Sequence, residues 1–176
     1  YLKPYAGVRH AHYAAAAAIA ARAGAPRSED ILAIRLETYA EALRYAANRA
    51  PPTPIAAQFS LSFGVASGLR FGDLSPESYL RMEDGELRRL EALVELAEDA
   101  ALTAAGRRGA RVVLRLAGGG ERVAQVGDVP GDPANPLPEA EVRAKFLRLA
   151  GHLPQAPAIL ARVLDGDPRA PLGLGP

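Results

Sequence analysis

Lys3, Arg9, His10 and His12 crowd the start of the chain, two groups able to move protons set among two fixed cations. Imidazole titrates near neutrality and can serve as base or acid. Arg and Lys hold carboxylates, Arg through a bidentate fork. The chemistry open to such a set is removal of a proton alpha to a carboxylate, protonation of a departing hydroxyl, and cationic clamping of acid groups. At a helix N-terminus the dipole disfavours imidazolium, which suits a neutral base. A bland alternative stands beside this one, and residue chemistry alone favours it. A single His near a helix start is more often a cap or a surface residue. His10 and His12 are two apart, so on a helix they face different directions unless His10 lies in the preceding loop.

The other polar clusters carry less. Ser60 and Ser62 lack the Gly-x-Ser-x-Gly frame of a hydrolase elbow. His152 stands in a Gly-His-Leu-Pro turn and reads as structural. Glu83, Asp84 and Glu86 read as a solvated helix start, and Arg107, Arg108 and Arg111 as a solvated turn before a strand. Asp128 and Asp132 sit in a Gly/Pro loop with too few oxygen ligands for calcium. Gly118-Gly119-Gly120 follows a strand but leads into another strand, so it is no phosphate loop.

These side chains need elements to position them. Lys3 to Arg9 contains Pro4 and Gly7 and reads as a loop, running into an Ala-rich helix from His10 to Ala23 that Gly24 and Pro26 close. Its small side chains allow close approach to another element or subunit. Ile31 to Thr38 alternates in its second half and predicts a strand. Short helices are expected over 39–49, from Pro76 to about Met82, and from Asp84 to about Leu93, with one longer buried helix over Ile55 to Arg70. Arg111–Leu116 and Glu121–Val126 around the three glycines predict a hairpin. Gly127 to Pro138 reads as an irregular loop. Pro138 to Leu149 is an amphipathic helix with acids first and bases last. A weaker helix over 156–164 precedes a Gly/Pro-rich tail from Asp165 to Pro176.

Strands mixed with helices, one hairpin and no regular βαβ alternation predict an α+β fold with a mixed or antiparallel sheet of about four strands packed by helices. Residues 1–150 are expected to form this domain and residues 151–176 a C-terminal helix and tail. At 176 residues the chain can bury a real core. Lys+Arg 21 against Asp+Glu 20 leaves a net charge of +1, which argues against nucleic acid or acidic membranes as partners. The complete lack of Cys removes disulfides, thiolate zinc sites, Fe–S clusters and cysteine nucleophiles. Three scattered His make no metal site. No apolar run reaches membrane-spanning length and the first residues do not form a signal peptide, so a soluble cytoplasmic protein is expected.

Four ordered stretches carry a resemblance. Lys3-Pro4-Tyr5 with Arg9-His10-Ala11-His12 and the Ala-rich helix resembles the opening of the C-terminal domain of the MmgE/PrpD family. Ala57-Gln58-Phe59-Ser60-Leu61-Ser62-Phe63-Gly64-Val65-Ala66 is similar to its "AKFSLPYAVA" segment, and the Arg111–Val126 hairpin to its late strand pair. Gly131-Asp132-Pro133-Ala134-Asn135-Pro136-Leu137, with Glu141 and Lys145-Phe146, resembles its "NPLS…EL…KF" stretch. The resemblance implies a small lid-like domain that follows a large helical domain, with the active site between them. It implies a lyase of the 2-methylcitrate dehydratase type acting on a small hydroxy-polycarboxylate, without metal or organic cofactor, as a homo-oligomer. An epimerase or decarboxylase of the same family is the near rival; a non-catalytic domain completing a separate helical subunit is the distant one. Carried over by position, His10 and His12 would be catalytic, Lys3 would contact substrate and the segment around Phe63 would line the same cleft; Arg9, on residue chemistry, would join Lys3 near the carboxylates. Phe63 stands where the family often has Tyr, and Gln58 where it often has Lys.

Overall fold

A computed structural model describes residues 1–23 and 27–167. The expected helix stop at Gly24 and Pro26 and most of the expected tail lie outside the described residues. Helix α1 (Arg9–Arg22) leads through a 3-10 turn at Ser28–Asp30 into strand β1 (Ile31–Thr38). Then come α2 (Ala40–Ala46), α3 (Pro54–Ala57), α4 (Leu61–Phe71), α5 (Pro76–Leu80), α6 (Gly85–Leu93) and β2 (Val94–Glu98). Helix α7 (Ala100–Ala104), the hairpin β3 (Ala110–Leu116) and β4 (Glu121–Val126), and helices α8 (Glu139–Ala150) and α9 (Ala156–Asp165) complete the order.

The architecture is α+β, as the sequence predicts. Four strands form one mixed sheet in the order β2-β1-β3-β4, with β1 and β2 parallel and the other pairs antiparallel. The parallel pair requires a long crossover, and α2 to α6 supply it. Helices α1, α4 and α6 cover one face of the sheet, where Ile34, Leu36, Val94, Val112 and Leu114 meet Phe63, Val65, Leu87 and Leu90. The other face is charged. Arg35 pairs with Glu95 and Arg111 with Glu37, each directly opposite in the strand register. A bulge between Ile31 and Ala33 turns Leu32 outward, which explains why alternation begins only in the second half of β1.

Alanines make α1 narrow, and the element that exploits this is α4 of the same chain. A Cβ added at Gly68 would lie 2.8 Å from the Ala15 carbonyl oxygen and 2.9 Å from the Ala18 methyl, so the missing side chain lets the helices touch. The single helix expected over Ile55–Arg70 is two. Ser60 leaves helical geometry to cap α4 through Phe63 N, and the Gln58 carbonyl accepts from Val8 N at 2.9 Å, tying the break to the segment before α1. Strand β2 and helix α7 were not expected from the sequence. No helix among the described residues is long and apolar enough to cross a membrane.

Candidate active site

Residues 1–8 hold no helix or strand, yet their backbone is pinned from several sides. Leu2 N donates to the Gly131 carbonyl at 3.2 Å, Ala6 N to the Leu74 carbonyl at 2.8 Å and Val8 N to Gln58, while the Tyr79 hydroxyl donates to the Ala6 carbonyl. The Lys3 ammonium folds back onto the Gly7 carbonyl at 3.0 Å. Gly7 itself has φ +157°, and a Cβ there would sit 3.0 Å from the Tyr79 hydroxyl, so the turn needs glycine. This segment delivers Lys3, Tyr5 and Gly7 to the first turn of α1.

His12 lies under it. The residue is 1% exposed, and neither ring nitrogen has a hydrogen-bond partner. The Tyr5 ring meets its edge at 5.5 Å and 90°. Burial depresses the His12 pKa to about 4, helped by the Lys3 and Arg9 charges; Asp132 opposes, as does the Gly7 backbone, although it makes no well-aligned hydrogen bond with the ring. His12 is the fourth residue of α1, where the helix dipole works in the same direction. The imidazole is therefore neutral at physiological pH.

His10 goes elsewhere. Its Nδ1 is 2.6 Å from the Tyr39 hydroxyl, and its ring stacks on Tyr45 at 6.1 Å and 14°. Half-buried, it has a pKa lowered by desolvation and by Arg108 and Arg9, against which Glu41 acts. Both histidines lie within α1, so the structure separates the pair instead of bringing it to one ligand.

Arg9 is also engaged within the chain. Its guanidinium pairs with Asp132, donates to the Tyr13 hydroxyl at 3.2 Å, and lies 4.0 Å above the Tyr1 ring. Asp132 is buried and accepts from the Tyr13 hydroxyl at 2.8 Å and from Val129 N at 3.3 Å. A groove of about 280 Å³ beside this triad is lined by Arg107, Arg108 and Asp128. Phe63 is fully buried and stacks on Tyr79 at 5.2 Å, so its place is behind the Ala6–Gly7 turn that Tyr79 supports. Ser60 and Ser62 are buried beside Glu91, which Arg88 neutralises, a structural clip between α4 and α6.

Tyr5, Tyr13 and Asp132 are members of the site that reading by residue type missed. Asp132 had a signal, because it stands inside the Gly131–Leu137 stretch already singled out by resemblance. Of its partners, Arg9, 123 residues away, was singled out by residue type, while Tyr13, 119 residues away, had no signal. Lys3 and His12 remain close enough for the Lys3 charge to act on a neutral, unpaired imidazole, with the ammonium held on the Gly7 carbonyl. Residues 5–165 match the family model described as the MmgE/PrpD C-terminal domain. No curated protein matches the chain.

Proposed function

The chain belongs to the MmgE/PrpD family through its C-terminal domain, and on that premise we propose that it supplies the lid half of a cofactor-independent lyase site for a small hydroxy-polycarboxylate such as 2-methylcitrate. The family is generally of lyase and dehydratase type, and His12 carries the reading for this chain. A buried imidazole with neither nitrogen bonded is an unfavourable arrangement, on the order of 1–3 kcal/mol, unless something else completes it. A substrate C–H or hydroxyl can do so once Tyr5, whose ring meets the imidazole edge-on, moves aside to open the sealed ring.

In this reaction His12 takes the proton alpha to a carboxylate. The electron pair left behind forms the carbon–carbon double bond as the neighbouring C–O bond breaks, and the hydroxyl leaves as water with a proton from an acid. Lys3 holds the carboxylate, where its charge favours the electron-rich transition state. Residue 63 cannot be the acid, since Phe63 carries no hydroxyl and Tyr79 beside it donates to Ala6. The acid belongs to the helical domain across the cleft, in the same chain or a partner subunit. Epimerisation or decarboxylation would start from the same carbanion.

The complete protein, helical domain included, should convert 2-methylcitrate, citrate or cis-aconitate, followed by alkene absorbance. His12→Ala should lower kcat by about 10²- to 10⁴-fold, and His10→Ala by no more than about threefold. Equal activity of His12→Ala and wild type would refute the assignment. Turnover of no carboxylate by the complete protein would favour a non-catalytic, subunit-completing role.

A further inference from the structure

Helix α8 buries none of its residues and pairs Arg143 with Glu139 and with Asp165 of α9, so it reads as a surface arm. Lys145 breaks that pattern. Its ammonium reaches across to donate to the backbone carbonyl of Lys3, the residue whose own ammonium is folded onto Gly7. We propose that Lys145 and Lys3 form a paired-cation clamp for substrate carboxylates, Lys145 being a specificity residue that favours substrates with two or more acid groups. This deepens the lyase reading and rests on it.

Both ammonium groups are held by carbonyl oxygens, not by carboxylates. Each is thereby fixed in place while its charge stays uncompensated. An ammonium has three N–H donors, and the contact with Lys3 uses one of those on Lys145, leaving two for a ligand. The cleft alongside, about 170 Å³, is lined by Pro4, Leu137, Glu141, Ala144, Lys145 and Arg148. Lys145 and Arg148 are its cations, Lys3 adjoins Pro4, and Glu141 is its one acid.

A neutral amide could hold the Lys3 carbonyl without gathering like charges. Burial together with the Arg148 and Lys3 charges makes the Lys145 ammonium less favourable than in water. An arriving carboxylate reverses that balance, which is the electrostatic signature of an anion site. Tyr5 links the cleft to the chemistry. Its ring meets His12 edge-on at 5.5 Å, and its hydroxyl pKa is raised first by burial and then by the Asp73 and Glu141 charges. A small polycarboxylate with one acid group held at Lys3 and Lys145 would lie near Tyr5, whose ring meets His12 edge-on.

Three variants separate charge from hydrogen bonding in the complete protein. Lys145→Met removes both, Lys145→Gln keeps a donor for the Lys3 carbonyl, and Lys145→Arg keeps the charge. The clamp predicts KM raised tenfold or more in the Met and Gln variants with kcat within threefold, and recovery to within threefold in Arg. Gln behaving as wild type would overturn it, leaving Lys145 a structural donor, as would a Met variant with unchanged KM. Citrate binding to the 176-residue chain, followed by calorimetry, gives a readout independent of turnover. Affinity lost at least tenfold on Lys145→Met, with an unchanged melting temperature, supports the clamp even if the complete protein turns over no carboxylate; affinity retained overturns it.

Discussion

His10 and His12 leave the first turn of α1 in different directions and meet opposite surroundings. His10 is half-buried, shares a hydrogen bond with Tyr39 through Nδ1 and stacks on Tyr45. His12 is sealed beneath Tyr5 with both nitrogens unpaired. The two residues share a helix, a residue type and an Arg9 neighbour, so what differs is the partner that each face of the helix meets. The face packed on the pinned 1–8 segment gives no hydrogen-bond partner, and the face toward Tyr39 gives one. Residue type alone makes these histidines equivalent; hydrogen-bond satisfaction separates them.

The most damaging way to disturb the His12 side is to remove Asp132. Asp132→Ala leaves the Arg9 guanidinium without its carboxylate and the Tyr13 hydroxyl without its acceptor. We expect a loss of about 3–4 kcal/mol, as for breaking a largely buried ion pair, read from the urea midpoint. The variant also removes the carboxylate that opposes the Arg9 charge at His12, so the His12 titration moves still lower, while that of His10, set first by burial, changes less. A loss below about 1 kcal/mol would mean that the triad is a surface pair and does not support the site.

Acid should separate the histidines next. Above pH 6.5, His12 is neutral in both the folded and the unfolded chain, and its titration has no effect on stability. Between 6.5 and about 4 the unfolded chain binds a proton that the folded chain refuses, so stability falls as pH falls. Below about 4 both states are protonated and the penalty is constant, in all roughly 3 kcal/mol for a shift of this size. The contribution of His10 has the same sign, since its pKa is also lowered. Carboxylates paired in the fold add their own acid sensitivity, so the measurement is the difference between wild type and His12→Gln in melting temperature from pH 7.5 to 4. Identical pH profiles would show that His12 is not held neutral.

Local signals made much of the fold legible. The run of Ala in α1, the glycines between β3 and β4, and the acid-to-base order along α8 all act within a few residues. The break between α3 and α4 was hidden because its cause is distant, the Gln58 carbonyl turning to Val8 N. Strand β2 was hidden because Glu, Leu and Ala favour helix, and only the parallel register with Ile34 to Thr38 makes Val94–Glu98 extended. At the site, the types at Lys3 and His12 were readable, and the two-residue spacing already implied that His10 faces another way. Asp132 and Lys145 were legible only as parts of a resemblance, because each contacts residues more than 100 positions away.

The smallest perturbation tests whether the two faces of α1 are independent. Tyr39→Phe removes one hydroxyl from a buried ring and leaves the ring's edge contact with Tyr13, at 6.1 Å, in place. His10 loses its partner at Nδ1, but a half-exposed imidazole can turn to water, so we expect about 1 kcal/mol or less of destabilisation. The His10 titration measured by NMR should change. That of His12 should not, because none of the influences that set it comes from Tyr39. Turnover in the complete protein should stay within about threefold of wild type. If Tyr39→Phe instead shifts the His12 titration or lowers turnover tenfold, the two histidines are coupled through α1, and His10 belongs to the same chemistry as His12.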